Sequence, residues 1–401
     1  MLLVAICSVL VVLAGRLAEF EQADTLLGAG DYIHYYAAAR VYLRHDNPYD
    51  LELLRAISRE VNRADTDPVV QWIYPPWVLP LFLFALAPAA RLSFPDALFI
   101  WQALSFLALL GTGFVVWRIV FERFESRHLL PMLMATLFFV PAYDTFRLGQ
   151  VSIFITFGIA TFCYFWSRKS DAVAGMWLIF PACKVTAWYL LAPALAAAIV
   201  KERRWSTVLG FLLLLCFLLA LGEAHHPGLA RHWIEALAYS RAHILKFRNP
   251  TLPDLIQSAI LSYTGVLAEW PLTVIPIATA VAVFIFGCRK KSRLAFPDFF
   301  PILILSVFTA PYSWFFDQAA LVIVQVGLVA IAYAENVAKS TRRWLFISLA
   351  LLQCLAFAFT FLPAHDQFYC WWFPVAIFGV LTLFASRTRQ PDEEYEHRNT
   401  P

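Results

Sequence analysis

The sequence predicts an all-α protein that crosses a membrane many times. Hydrophobic residues make up 61% of the 401-residue chain and charged residues only 15%, whereas soluble proteins are about half apolar and about a quarter charged. The excess apolar surface is spread along the whole chain, so one soluble core cannot bury it and the bilayer must act as solvent. Inside lipid, helices satisfy their own backbone polar groups. The formal net charge of +3 gives no reason to expect a nucleic-acid partner.

Apolar segments of about membrane length predict a bundle of about 12–13 transmembrane helices. One of the shorter segments, residues 76–90, would reach only about 22 Å as a helix, which is less than a hydrocarbon core of roughly 30 Å. Either this segment re-enters the membrane or another predicted span is wrong. The predicted spans are 1–18, 76–90, 97–117, 129–143, 149–166, 172–183, 185–200, 206–222, 271–288, 299–312, 318–334, 344–362 and 371–386.

Basic residues between the apolar segments orient the predicted helices, because short loops rich in Arg and Lys stay in the cytoplasm. These loops are Arg118–His128, Arg168–Asp171, Lys201–Arg204, Arg289–Arg293, Lys339–Arg343 and Arg387–Arg389. We therefore predict one multi-pass domain over residues 1–386, with long helical outer loops at about 19–75 and 223–270. A cytoplasmic disordered tail is predicted at 387–401.

Two local patterns stand out in the first outer loop. Residues 50–63 read as an amphipathic helix, with Leu51, Leu54, Ile57, Ser58 and Val61 on one face. The preceding letters NPYD are a turn signal. The seven cysteines form no close pair, and no Cys and His spacing indicates a metal site, so no metal and no cofactor is predicted.

Six polar residues, which come from five segments, map to the outer ends of the predicted helices. They are Asp31, Asp144, Arg147, Gln150, Lys184 and Asp317. Polar groups at membrane depth are costly and usually functional, and structural ones would fall on both sides of the membrane. Their position on one side predicts one shared cavity.

Asp31 is the candidate catalytic residue. It precedes an aromatic helix that contains His34, Tyr35 and Tyr36, which we interpret as a wall for a sugar or lipid. A carboxylate near a helix N-terminus stays ionised, as a general base must. The alternative is that Asp31 only caps the helix, and the aromatic residues are also typical of any membrane interface.

The other candidates carry charge or open a helix. Asp144 and Arg147 stand three residues apart, so they either serve the site or form an ordinary interfacial ion pair. Lys184 lies in a segment otherwise free of charge; a phosphate would keep it protonated, and the alternative is that it snorkels to the interface. Tyr74 opens the short apolar segment through a Tyr-Pro-Pro sequence.

The order of these motifs resembles glycosyltransferase family 87. The resemblance runs from Asp31 to Asp317 through NPYD, YPP, the Gly149-Gln150-Val151 helix start, the lone Lys184 and the PYSWFFD turn. It implies a membrane-embedded fold of the GT-C class with its catalytic carboxylate in the first outer loop, which matches Asp31. Members of the family usually carry Leu-Lys-Pro at the lysine, where this chain has Cys183-Lys184-Val185.

The resemblance implies an inverting hexosyltransferase of the bacterial inner membrane with its active site facing outside. The donor would be a polyprenyl-phosphate sugar, with mannose as the family habit, and the acceptor an envelope glycolipid or glycan. Asp31 would take the acceptor proton, and Lys184, Arg147, Gln150, Asp144, Asp317, Tyr35, Tyr36, His34 and Tyr74 would bind substrate. The alternatives are a transporter or lipid flippase, which would use the same intramembrane charges, and a non-catalytic envelope scaffold.

Overall fold

The computed structural model describes residues 31–61, 72–89, 91–123, 125–243, 249–334, 337–359 and 370–389. Within these ranges the regular elements are helices and no strand occurs, which confirms the all-α prediction. The predicted helix at 1–18 and residues 390–401 of the predicted tail lie outside the described residues. Residues 387–389 of that tail belong to the last helix.

The described residues form a series of α-helices. They are α1 Tyr32–Leu43, α2 Leu51–Glu60, α3 Val78–Ala89, α4 Phe94–Val120, α5 Leu129–Leu137, α6 Val140–Leu148, α7 Ser152–Ser167, α8 Asp171–Trp177, α9 Val185–Trp188, α10 Leu191–Glu202, α11 Trp205–His225, α12 Leu229–His243, α13 Leu252–Thr264, α14 Pro271–Arg289, α15 Phe299–Thr309, α16 Val322–Ala334, α17 Lys339–Phe359 and α18 Trp372–Arg389. Short 3-10 helices cover Ser126–His128, Pro181–Cys183, Phe296–Asp298 and Phe315–Leu321.

These helices divide into two compact units. The first unit contains the described residues up to Ala103, the turn Arg147–Gln150 and the segment Leu221–His243. It therefore holds α1 to α3, the start of α4, the end of α11 and α12. The second unit contains Leu104–Phe146, Val151–Ala220 and the described part of Ile244–Pro401.

Long apolar helices make the chain an all-α polytopic membrane protein. In the described part of the chain, six helical segments are long and apolar enough to cross a membrane, or seven if α5 and α6 form one bent span. The six are Phe94–Val120, Val185–Glu202, Trp205–His225, Pro271–Arg289, Phe315–Ala334 and Lys339–Phe359. The segments Ser152–Ser167, Asp171–Cys183, Phe296–Thr309 and Trp372–Thr388 are apolar but shorter.

Several predicted spans are thus shorter or broken, because apolar composition does not guarantee a continuous helix. The predicted span at 76–90 becomes α3, whose 12 residues would reach about 18 Å. The predicted span at 129–143 becomes α5 and the start of α6, which are bent by 61°. The chain is not helical at Lys184, which separates the predicted spans 172–183 and 185–200 and has extended backbone between the Pro181–Cys183 turn and α9.

Two glutamines satisfy the backbone groups that the bend between α5 and α6 sets free. The side chain of Gln353 accepts a hydrogen bond from the Val140 N–H (2.9 Å) and donates one to Gln325 (2.8 Å). Gln325 in turn donates to the Ala135 carbonyl (2.8 Å). Both glutamines are buried. Because an unsatisfied backbone group is costly in lipid, this relay stabilises a bend that the hydrocarbon region would otherwise disfavour.

The predicted amphipathic helix is confirmed as α2. Leu54, Ile57 and Ser58 are buried, as the predicted face requires. The Asp50 carboxylate caps the helix by accepting hydrogen bonds from the Glu52 and Leu53 N–H groups (2.9 and 3.3 Å).

One end of the second unit gathers three of the predicted cytoplasmic loops. Arg204 donates to the Asp171 carboxylate and to the Trp166 carbonyl (2.8 Å), and its guanidinium lies 3.4 Å from the centroid of the Trp166 ring. The indole of Trp166 donates to the Leu294 carbonyl (3.1 Å). These contacts join the loops at 168–171 and 201–204 to Leu294, the residue after the loop at 289–293, so the three loops lie at the same end of this unit.

Candidate functional site

Asp31 stands immediately before α1, in the first unit. It occupies the N-cap position, but its side chain accepts no hydrogen bond from the first turn of the helix. Its backbone N–H donates to the Leu148 carbonyl (3.2 Å), and the residue is partly exposed. The geometry therefore does not support the capping alternative, and it attaches Asp31 to the chain just before Gly149 and Gln150.

The side chains of Tyr35, Tyr74 and Gln150 meet in the same unit. The Tyr35 hydroxyl donates to Gln150 Oε1 (2.9 Å) and lies 2.6 Å from the Tyr74 hydroxyl. Tyr35 and Gln150 are buried, whereas Tyr74 is partly exposed. Three of the predicted site residues thus form one neutral hydrogen-bonded group. Tyr74 is its accessible member.

A tight turn at Gly149 holds Gln150 in place. Gly149 has φ +69°, a conformation that favours glycine, and a Cβ atom there would lie 2.6 Å from the Tyr32 Cβ. The Trp101 indole donates to the Gly149 carbonyl (2.8 Å). Trp101 also stacks on the Tyr35 ring at a centroid distance of 5.5 Å. The turn can therefore approach α1 only because residue 149 has no side chain.

Other residues of the predicted aromatic wall have different surroundings. The Tyr36 hydroxyl donates to the Leu92 carbonyl (3.0 Å) and accepts a hydrogen bond from Arg40 (3.4 Å). Tyr36 is buried, and His34 is partly exposed one turn after Asp31. The NPYD turn reaches this region through Tyr49, whose hydroxyl donates to the Tyr74 carbonyl (2.9 Å).

Lys184 and Asp317 form a buried salt bridge in the second unit. Lys184 is 7% exposed and Asp317 is 5% exposed, so the lysine does not snorkel to water. The ammonium also lies 4.6 Å from the centroid of the Phe316 ring. The charge of Lys184 is therefore balanced by a carboxylate of the protein itself.

Ser152 contacts both members of this salt bridge. Its hydroxyl donates to Asp317 Oδ1 (3.0 Å) and lies 3.5 Å from the Lys184 ammonium. The Trp314 N–H donates to Asp317 Oδ2 (3.1 Å). The adjoining cavity, lined by Ser152, Lys184, Thr186 and Asp317 among others, measures about 10 Å³, which is room for about one water molecule. The pair is enclosed in this structure.

Asp144 and Arg147 both lie on α6. Asp144 is buried in the second unit. The burial of Cys370, together with the nearby charge of Asp144, raises the pKa of the Cys370 thiol to about 12. Arg147 belongs to the first unit and is partly exposed. Of the predicted cations, Arg147 is thus the one that shares a unit with Asp31, Tyr74 and Gln150.

Sequence reasoning missed Ser152, Trp101 and Tyr49. Trp101 and Tyr49 appear as apolar or turn residues in the sequence, and their hydrogen bonds to Gly149 and Tyr74 join distant segments. Ser152 carried one usable signal, since it stands two positions after Gln150. Among the described residues, no group of three or more His, Cys, Asp or Glu side chains is placed to hold a metal ion.

Comparison with known families decides the assignment. The model of glycosyltransferase family 87 matches residues 72–305, more than half of the chain. The chain belongs to glycosyltransferase family 87. It is therefore a multi-pass membrane glycosyltransferase, and the family assignment favours the enzyme over the transporter and scaffold alternatives. Comparison with curated proteins and with solved structures gives no match.

The family 87 match covers part of the candidate site. Tyr74, Asp144, Arg147, Gln150 and Lys184 lie inside the matched residues. Asp31, His34, Tyr35, Tyr36 and Asp317 lie outside them. The family match therefore assigns no role to Asp31.

Proposed function

We propose that this enzyme transfers a hexose from a polyprenyl-phosphate sugar to a glycolipid or glycan acceptor of the cell envelope, with inversion at the anomeric carbon. The observation that carries the proposal is the placement of Asp31. Asp31 is partly exposed, its side chain accepts no hydrogen bond from the first turn of α1, and its backbone N–H donates to the Leu148 carbonyl next to the turn that holds Gln150. Mannose is the expected sugar because of the resemblance to mannosyltransferases.

Asp31 would act as general base for the acceptor hydroxyl. The acceptor oxygen attacks C1 of the sugar, the bond between C1 and the phosphate oxygen breaks, and the proton passes to the Asp31 carboxylate. The polyprenyl phosphate leaves with the electron pair of the broken bond. One displacement inverts the configuration at C1.

The first unit also offers groups suited to a sugar and a phosphate. Tyr74 and Gln150 carry neutral donors and acceptors that match sugar hydroxyls. Arg147 is a partly exposed guanidinium of the kind that binds phosphate through two parallel hydrogen bonds. We therefore propose that Arg147 receives the leaving phosphate.

A phosphate at Lys184 would have to compete with Asp317. The lysine already has a carboxylate partner, and the adjoining space holds about one water. Lys184 would serve the donor only if the pair opens. A variant series at this pair, described below, distinguishes a donor-binding role from a structural one.

The basic end of the second unit is proposed to face the cytoplasm, because loops rich in Arg and Lys are retained there. Lys184 precedes the span Val185–Glu202, and the Lys201–Arg204 loop ends it, so the two lie at opposite ends of one helical segment. A reporter fused after Lys291 should be cytoplasmic, and one fused after Gly265 should be outside. Both reporters on the same side would contradict this topology.

The donor class is tested with purified enzyme in proteoliposomes. Polyprenyl-phosphate mannose, polyprenyl-phosphate glucose and GDP-mannose, each radiolabelled, are supplied with an envelope lipid extract as acceptor. We expect label to move only from polyprenyl-phosphate donors, and the product to have the opposite anomeric configuration by NMR. Transfer from the nucleotide sugar, or retention of configuration, would overturn the proposal.

A further inference from the structure

A second, larger cavity lies among α10, α14 and α15 of the second unit. Its volume is about 370 Å³, within the range of sites that bind small organic molecules. Most of its wall is apolar, with Ala194 and Ala198 from α10, Val283 and Gly287 from α14, and Ile302 and Leu305 from α15. Gly287 lets α14 approach α10 closely, since a Cβ atom there would lie 2.8 Å from the Ala197 Cβ.

One part of the cavity wall is polar and carries Lys201, which has no carboxylate partner among the described residues. The Lys201 ammonium donates to the Lys290 and Ser292 carbonyls, the latter at 3.0 Å. It forms no salt bridge with any residue that the structure describes. A lysine has three donors, so an anion can still bind to this ammonium.

Each of the two carboxylates in the wall has a cationic neighbour, although Arg204, the neighbour of Glu202, also pairs with Asp171. Glu202 accepts the Leu294 N–H (3.0 Å) and lies 3.9 Å from the Arg204 guanidinium. Asp298 pairs with Lys290 (2.5 Å) and accepts the Ala295 N–H (2.7 Å). The neighbouring loop adds the positive charges of Arg289, Lys291 and Arg293.

We propose that this cavity binds an anionic phospholipid of the bilayer, with an acyl chain against the apolar wall and the phosphate at Lys201. An apolar chamber that ends in a lysine ammonium bound only to carbonyl groups of the described residues complements a molecule with an apolar chain and an anionic head. Basic pockets between transmembrane helices are recognised sites for anionic headgroups. The chamber is part of a helix bundle whose surface bears exposed apolar residues such as Val281, Ile285 and Phe286.

This lipid site differs from the Lys184–Asp317 pair and does not rest on the proposed transfer reaction. Lys184 and Lys201 stand at the two ends of the span Val185–Glu202. A helix of that length would separate them by about 25 Å. A phosphate at Lys201 is therefore not a donor phosphate at Lys184.

The test uses full-length protein in nanodiscs that contain equal amounts of phosphatidylglycerol and phosphatidylcholine. After gentle release, native mass spectrometry counts the lipids that remain bound. Lys201→Gln removes the proposed phosphate partner, and Thr279→Phe fills the chamber, since Thr279 lines it. Lys291→Gln is the matched control, because it removes the same charge from the same basic end at an exposed residue outside the chamber wall.

We expect the parent and Lys291→Gln to retain phosphatidylglycerol in preference to phosphatidylcholine. Lys201→Gln should lower this preference about fivefold, which corresponds to about 1 kcal/mol for one charge near a lipid headgroup. Thr279→Phe should lose the bound lipid. Equal retention of both lipids by the parent, or no change in Lys201→Gln, would overturn the proposal even if Thr279→Phe fails to fold. Displacement of phosphatidylglycerol by added polyprenyl phosphate in the parent but not in Lys201→Gln would also overturn it.

Discussion

Lys184 and Asp317 are 133 residues apart in sequence and form an ion pair that is almost fully buried. Ser152 and the Trp314 N–H supply further hydrogen bonds to the carboxylate. Burying two charges is expensive, and removing one partner leaves the other unpaired. The pair therefore connects α7, the turn before α9 and the 3-10 helix Phe315–Leu321. Replacing either Lys184 or Asp317 alone should destabilise this connection.

A double-mutant cycle separates the structural and functional roles of this pair. Lys184→Met and Asp317→Asn should each lower the free energy of unfolding by about 3–5 kcal/mol, because each leaves the charge of the other residue buried and unpaired. The double variant should recover much of this loss. Unfolding in mixed detergent micelles measures these values, and sugar transfer is measured in parallel.

The activity of the double variant decides whether Lys184 contacts the donor. If Lys184 only holds the fold, the stable double variant should transfer sugar at a rate close to that of the parent. If Lys184 binds the donor phosphate, the double variant should fold and show a raised KM for the donor. A double variant no more stable than the singles would contradict the ion pair itself.

Gly149→Ala should destabilise the enzyme by about 1–3 kcal/mol, because the new Cβ would overlap Tyr32 and the positive φ would be strained. Gln150 should lose its place beside Tyr35, so transfer should fall as well. Gly379→Ala is the control, since that helical glycine has no atom within 4 Å of the added Cβ. Equal thermal stability of the two variants would show that the Gly149 turn is not constrained.

Gln353→Leu should destabilise the protein by about 1–2 kcal/mol through the bend between α5 and α6. The Val140 N–H would lose its acceptor, and Gln325 would lose the donor that satisfies its carbonyl oxygen. Gln102→Leu serves as control, because Gln102 makes no hydrogen bond among the described residues. If both variants unfold at the same temperature, the relay contributes nothing to the bend.

The sequence correctly predicted that the protein is all-α, that it crosses a membrane, and where some individual helices begin or break. Apolar composition and the 3.6-residue period are local properties, and they located α2 and the break at Lys184. The number of full spans was harder to predict, because hydropathy measures transfer to lipid and not helix continuity. The bend between α5 and α6 depends on Gln325 and Gln353, which lie far away in sequence.

The candidate site could be predicted as a set of residues but not as a set of partners. Lys184 was a candidate because it is a lone charge in an apolar segment, but a single sequence does not show that its partner is Asp317. Asp31 was predicted with capping as an alternative, and only the geometry of α1 shows that its side chain does not cap the helix. Trp101 contacts Gly149 through a side chain that resembles any other apolar residue of α4.

Arg147→Gln should lower kcat/KM for the polyprenyl-phosphate donor by about 10- to 100-fold, the range for loss of a hydrogen bond to a charged group. Most of the effect should appear in the KM for the donor, or in how strongly the transfer rate depends on the leaving group. The KM for the acceptor should change little. Arg55→Gln is the control, since Arg55 pairs with Glu52 on the exposed face of α2. Unchanged donor kinetics in Arg147→Gln would exclude Arg147 as the phosphate partner.

The most direct test of the account is sugar transfer by Asp31→Asn, compared with Asp50→Asn as a control in the same unit. Asparagine keeps the shape of Asp31 but cannot take a proton, whereas at position 50 it still caps α2. We predict that Asp31→Asn folds normally and transfers about 10²- to 10⁴-fold more slowly, while Asp50→Asn transfers like the parent. Transfer by Asp31→Asn at the parent rate would contradict the assignment of Asp31 as the catalytic base.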